Sequence, residues 1–160
     1  MCHLLRPLSF LPAILMMYVI FSFSSADGVE SASLSYAVSV KAVEVVNQVA
    51  DKHWTQERID YCADRIHYYV RKCAHMTEYA VLAIAVSFPL YVYGMHGILL
   101  MFVAGCICVA FAAGDEYHQL FVAGRSGSVR DVCIDSIGVL AGIIFVRIIG
   151  FIGRKTIFDT

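Results

Sequence analysis

The side chains able to do chemistry gather mainly in one stretch, Gly114 to Asp135, reading GDEYHQLFVAGRSGSVRDVCID. Asp115, Glu116, His118 and Gln119 close one apolar run, Arg125, Ser126, Ser128 and Arg130 fill the connection, and Asp131 and Asp135 open the next. A second cluster, RKCAHMTEYA, begins at Arg71. On a helix Arg71 and His75 lie one turn apart, His75 and Glu78 are three apart, and Lys72, His75 and Tyr79 share a face. A histidine paired with a carboxylate suits general acid or base work near neutral pH, and Arg71, Lys72, Arg125 and Arg130 suit a clamp on a phosphate or carboxylate. No cofactor motif is evident, although the residue types allow a divalent metal held by oxygen ligands with His75 or His118. No Ser, Cys or Thr sits in a nucleophile motif, and Ser126 or Ser128 alone does not make one.

These groups are set in an apolar chain. Its 160 residues are 59% hydrophobic and 16% charged, and the mean hydropathy is +0.71. Those values fit a single polytopic membrane domain, an all-α bundle spanning the lipid bilayer, better than a water-soluble one. A formal net charge of -1 argues against a nucleic-acid partner. The six cysteines, Cys2, Cys62, Cys73, Cys106, Cys108 and Cys133, lack zinc spacing and read as small core residues.

Four spans are expected, at 8–24, 71–93, 98–121 and 131–151, with a hydrophilic segment over 25–70. The first is short enough to compete with a signal peptide cut near Ser24-Ser25-Ala26, and a retained span is the favoured reading. Within the hydrophilic segment Val38, Ala42, Val45, Val46 and Val49 recur at helical spacing. A second amphipathic helix starts at Thr55 and runs through Ile59, Cys62, Ile66 and Tyr69. With Trp54, Tyr61, Tyr68 and Tyr69 as interfacial aromatics, this segment is expected to lie on the bilayer surface, where Lys41, Lys52, Arg58 and Arg65 can gather anionic headgroups. Gly94 to Gly97 is a tight turn. On span three Asp115 faces with His118 and Gln119, while Glu116 is expected to point elsewhere. On span four the face of Asp131 and Asp135 continues through Gly138 and Gly142, small residues that let another helix come close. Antiparallel order then brings the start of span two, the end of span three and the start of span four to one surface.

The segments RKCAHMTEYAVL, GDEYHQLFVAGRSGSVRDV and DSIGVLAG, with FSFSS at Phe21 to Ser25, resemble the VanZ-like family of bacterial membrane proteins. The resemblance implies a retained first span. It also implies a shared polar pattern at Arg71, Lys72, His75, Glu78 and Tyr79, then Asp115, Glu116 and Gln119, then Arg125, Ser126 and Asp131. Asp135 departs from that pattern, which has Asn in many relatives, and adds either a charge or a carboxylic acid held neutral by its neighbours. The resemblance further implies a cell-envelope protein, with a link to teicoplanin-type glycopeptide antibiotic resistance for the founding member and no settled mechanism.

Three functions fit these residues. The favoured one is binding of an anionic lipid headgroup, a lipid-linked precursor or a lipoglycopeptide at the convergent polar surface. The second is an enzyme acting on a lipid-linked envelope precursor, and the third is a purely structural lock between helices. For orientation, Lys41, Lys52, Arg58, Arg65, Arg71, Lys72, Arg125 and Arg130 outnumber Arg6, Arg147, Arg154 and Lys155, so the positive-inside rule puts the polar surface in the cytoplasm. An envelope role puts it outside, which is the expectation adopted.

Overall fold

The computed structural model describes the backbone of residues 3–158 and the side chains of 5–151; Cys2, Arg154 and Lys155 lie outside the described side chains. A 3-10 segment, His3–Phe10, runs into α1 (Leu11–Ser24), followed by α2 (Gly28–Val49), α3 (Gln56–Val92), α4 (Gly97–Gln119) and α5 (Val129–Phe158). Four helical stretches are long and apolar enough to cross a membrane: Leu5–Ser24, Gln56–Val92, Gly97–Gln119 and Val129–Phe151. This is the all-α, four-span arrangement that the sequence predicts.

The first run is built into the bundle. Its Ala13 and Ile20 are buried in one core with Leu82, Ala83 and Val86 of α3, Ala104, Cys108 and Ala112 of α4, and Val139 and Ile143 of α5. The cysteine expectation holds only in part: Cys108 is buried and Cys62 half-buried, whereas Cys73, Cys106 and Cys133 are exposed on the bundle's surface. In an apolar solvent a thiol loses little by facing outward, so hydrophobicity does not sort these residues inside from outside.

The hydrophilic segment is helical as expected, but its second helix is not separate from the second span. Asp27 caps α2 by accepting a 2.7 Å hydrogen bond from the Glu30 N–H. After a turn in which Asp51 and His53 adopt positive φ, the chain returns as α3, a single helix of 37 residues without a break between its amphipathic and apolar halves. The reason is local. No Gly or Pro occurs from Gln56 to Phe88, and Pro89 falls in the last turns, so nothing interrupts the hydrogen-bond ladder. Ser39 and Val43 of α2 and Ile59 and Ala63 of α3 are buried where the two helices pair. At 1.5 Å per residue α3 is about 55 Å long against a hydrocarbon layer of about 30 Å, so it is longer than one crossing needs, and its first half pairs with α2 as a hairpin. Gly94, at φ +93°, ends α3 with Met95 N–H bonded to the Leu90 carbonyl, which reverses the chain into α4.

The tightest crossing joins α3 to α5. A Cβ on Gly138 would sit 2.2 Å from the Met76 carbonyl oxygen, and one on Gly142 would sit 2.3 Å from that of Ala80. The small-residue face read from the sequence is therefore used inside the chain. Replacing Gly142 by Leu should force the two backbones apart and destabilise the bundle by about 1–3 kcal/mol or more. Gly114→Ala, where nothing lies within 4 Å, should leave the melting temperature in detergent unchanged or raised. Equal melting temperatures for the two variants would contradict this crossing.

Candidate functional site

The polar clusters meet where the end of α1, the middle of α3, the end of α4 and the start of α5 come together. Arg125 is the hub. Its Nε donates to the Ala26 carbonyl and one terminal nitrogen to the Phe23 carbonyl, both at 2.9 Å, and the other reaches Gln119 Oε1 at 3.4 Å. The guanidinium thus caps the C-terminal end of α1, where unpaired carbonyls carry the negative end of the helix dipole. Gly28 N–H completes the junction by donating to the Ala123 carbonyl at 3.0 Å. A side chain on Gly28 would collide with the Gly124 carbonyl at 2.0 Å.

Gln119 carries the network inward, since its Nε2 lies 3.2 Å from Asp115 Oδ2 and 3.3 Å from Glu116 Oε1. Glu116 therefore does not point elsewhere, as helical spacing had suggested. Gln119 is long enough to bridge both carboxylates, and Glu116 Oε2 also accepts the Ser128 N–H at 2.9 Å. Ser128 in turn accepts from Arg130 N–H at 3.2 Å, so it caps the start of α5. Gly127 makes room for this, because a Cβ there would lie 2.2 Å from the Glu116 carbonyl oxygen. Next to it Lys72 Nζ meets Asp131 Oδ1 at 2.7 Å, one turn from the glycine-mediated crossing. Asp135 is 4% exposed, with His75, Lys72, Glu116 and Asp131 among the groups around it.

A second set of groups is not satisfied. His75 Nδ1 lies 3.2 Å from Glu78 Oε2, close enough to pair charges but off the hydrogen-bond line. Glu78 Oε2, Tyr79 Oη and His118 Nδ1 are buried without a hydrogen-bond partner among the described residues, and the equally buried Asp115 Oδ1 and Ser24 Oγ have only each other's side chains alongside as partners. Tyr79 is fully buried, with Asp115, Asp135, Glu116 and Glu78 as its charged neighbours. Asp115 has His75 and His118 for its neighbours. The His118 ring stacks on Phe21 at 4.6 Å.

Of the fourteen candidate residues, one stands apart: Ser126 is exposed in the turn and makes no hydrogen bond among the described residues. Arg71 is half-buried and has no hydrogen bond or ion pair among the described residues either. It lies near enough to Arg125 that, after burial, it is the next cause lowering that guanidinium's pKa, against Asp115, Glu116 and Glu78. Ser24 belongs to the site and was not among the candidates. Its signal was a hydroxyl ending an apolar run, which reads equally as a cleavage site. No group of three or more His, Cys, Asp or Glu side chains among the described residues is placed to hold a metal ion, so the geometry gives the metal reading no support.

Next to this centre, α2, α3 and the α4–α5 loop border a groove of about 620 Å³, lined by Val29, Ala32, Tyr36, Asp64, His67 and Gly124 among others. Arg71 stands one helical turn below His67, and Arg125 follows Gly124 in the chain.

A four-span helical membrane protein with a polar centre at one membrane face is the class these features define. The chain belongs to the VanZ/LLP1 family, whose model matches residues 9–150. No curated protein and no solved structure matches it.

If Lys72 and Asp131 hold α3 to α5 as a pair, Lys72→Met and Asp131→Asn should be non-additive in detergent unfolding, with a coupling of about 0.5–3 kcal/mol. A double-mutant cycle that closes to zero would mean that the pair is incidental.

Proposed function

We propose that the protein binds a phosphate- or carboxylate-bearing envelope lipid, its anionic group held between Arg71 and Arg125 at the foot of the groove. The observation that supports this is the nearness of two like charges: a half-buried Arg71, with no ion pair among the described residues, lies near a partly buried Arg125 whose own guanidinium is engaged by backbone and Gln119. Bringing cations together in a poorly hydrated place is unfavourable, and an anion between them relieves it. Guanidinium is also the group best shaped for two-pronged recognition of phosphate or carboxylate. The groove is of ligand size and walled by apolar side chains of α2, which suits the stem of a lipid headgroup.

The paired half of the centre fits a structural role, with Arg125, Gln119, Glu116, Ser128, Lys72 and Asp131 acting as struts. The unpaired half favours a second reading, in which the His75–Glu78 pair serves as acid or base on the bound lipid. A role against lipophilic glycopeptides would follow indirectly from either, by altering the lipids that such antibiotics meet at the envelope.

Native mass spectrometry of the protein in detergent with phosphatidylglycerol and phosphatidylcholine tests the binding reading. Arg71→Gln should remove a preference of about tenfold for the anionic lipid, the effect of about 1.4 kcal/mol, while Arg130→Gln should not. Equal retention of both lipids by the parent chain would overturn it. Recovery of the lipid at unchanged mass separates binding from catalysis, which instead predicts a cleaved or transferred headgroup lost in His75→Gln.

We infer an outer location for the site. Two cations behind the opposite positive-inside expectation are engaged in the fold: Lys72 pairs with Asp131 and Arg125 caps α1. They carry less weight as topology signals for that reason. The turn residue Ser126 is exposed and free, unlike Gly28 and Gly127, where any side chain would collide with backbone. In a background with the six native cysteines replaced, Ser126→Cys should react with a membrane-impermeant maleimide in intact cells. Labelling only after lysis would reverse the orientation.

A further inference from the structure

The outer half of α3 carries a ladder that the lipid site does not use. Arg58, Tyr61, Arg65, Tyr68 and Lys72 follow at steps of three, four, three and four, so they form one stripe along the helix, and Trp54, in the turn before the helix and tied to Asn47 of α2, stands at its start. Aromatic and cationic side chains alternate down that stripe. The rungs touch: Arg58 lies 5.8 Å from the centroid of Trp54, Arg65 5.8 Å from that of Tyr61 and Lys72 5.5 Å from that of Tyr68. Lys52 adds a second cation over Trp54 at 5.4 Å.

The stripe faces away from α2, because the α3 residues buried against α2, Ile59 and Ala63, project from the opposite side of the helix. Deeper in the membrane the same side of α3 is covered by α5, starting at the Lys72–Asp131 pair and the Gly138–Met76 contact. Above Lys72 no described residue covers it. Arg58, Tyr61, Arg65 and Tyr68 are all exposed, and a hollow of about 330 Å³ lined by Thr55, Glu57, Arg58 and Tyr61 lies at the tip. Glu57 and Asp64 flank the stripe on one side, the latter turned toward the groove.

A membrane surface does not account for the whole ladder. The stretch from Lys72 to Val92 already spans about 30 Å, and Arg58 then stands about 21 Å above Lys72, whereas the headgroup layer adds roughly 5–8 Å on each side. The upper rungs are beyond lipid reach on a helix that cannot bend flat. An extended ligand fits them instead. Arg58 and Arg65, about 10 Å apart along the helix and both exposed, match repeated anionic groups, and the aromatic rings beside them match ring-bearing units, which stack on such faces.

We propose that this ladder is a docking strip for an anionic glycan chain, sugar rings alternating with phosphate, sulfate or carboxylate groups. The proposal is independent of the Arg71–Arg125 lipid site.

Trp54, the single tryptophan, sits on the strip and reports directly. The test uses the full chain in nanodiscs of phosphatidylcholine, titrated with dextran sulfate, neutral dextran and linear polyphosphate. Dextran sulfate should give a saturable change in Trp54 emission, and neutral dextran none. Polyphosphate, which has charge without rings, should bind at least about fivefold more weakly, the scale of one lost stacking contact. Arg65→Gln and Tyr61→Ala should each weaken dextran sulfate binding about fivefold while keeping the helical circular dichroism and melting temperature of the parent chain. Arg71→Gln should leave it unchanged, which separates this outcome from failure of the lipid reading. The proposal is overturned by an unsaturable response, by equal binding of polyphosphate with Tyr61→Ala silent, or by binding that appears only when phosphatidylglycerol is added. A Tyr61→Ala chain that loses its fold would be replaced by Tyr61→Phe, which should bind like the parent if stacking is the cause.

Discussion

The end of a helix at membrane depth leaves backbone carbonyls with no water to pair them, and the rest of this centre depends on how α1 solves that problem. A single guanidinium, Arg125, takes the Phe23 and Ala26 carbonyls together. Only Arg, with several donors in a fixed fork, can do so from one position. Its charge then has to be matched, and Gln119 connects it to the Asp115 and Glu116 carboxylates. Glu116 passes the connection on to the start of α5 through the Ser128 N–H. Four chain segments are tied by one requirement, that no backbone group near the lipid be left unpaired.

That requirement accounts for part of the charge and leaves the remainder to be explained. Around the centre stand Glu78, Asp115, Glu116, Asp131 and Asp135, against Arg71, Lys72 and Arg125 as permanent cations. Struts need only as many carboxylates as they have partners, and Lys72 with Asp131 and Arg125 with the Gln119 network use them fully. Glu78, Tyr79 and His118 are surplus to that need, and each keeps a buried polar atom without a hydrogen-bond partner among the described residues. A buried polar atom without a partner costs about 1–3 kcal/mol. A chain concerned only with holding its helices together would do better with apolar groups in those positions, which argues that the inner half of the centre is kept for what it meets.

Much of this was legible in the residues. Span number, the depth of each cluster and the glycine face of α5 follow from hydropathy, antiparallel order and spacing. Rotation about each helix axis does not, and Glu116 shows why: its direction is fixed by Gln119 and by Ser128 twelve residues away, neither of which a periodicity count includes. The outer half of α3 was misread for a different reason. Its pattern changes from amphipathic to wholly apolar near Arg71, which reads as two elements, while the backbone sees no Gly or Pro and continues as one helix. Absence of a breaker was the better signal. The exposed Cys73, Cys106 and Cys133 show a further limit, since lipid removes the solvent contrast that makes apolar residues readable as core.

Continuity of α3 also decides how the two surfaces of this protein relate. Lys72 and Arg71 are neighbours in sequence, yet a helix turns about 100° between them, so one ends the outer ladder against Asp131 and the other faces Arg125. A kink or loop at this point would let the hairpin swing and would break both alignments at once. An unbroken helix carries the outer stripe and the membrane centre as parts of one rod. The Gly138 and Gly142 contacts then fix that rod against α5 by backbone rather than by adjustable side chains. Rigidity of that kind is what positions the charged groups of the centre to within hydrogen-bond distances, since a bundle packed only by flexible apolar side chains in an apolar solvent would have no comparable means of setting helix depth and rotation.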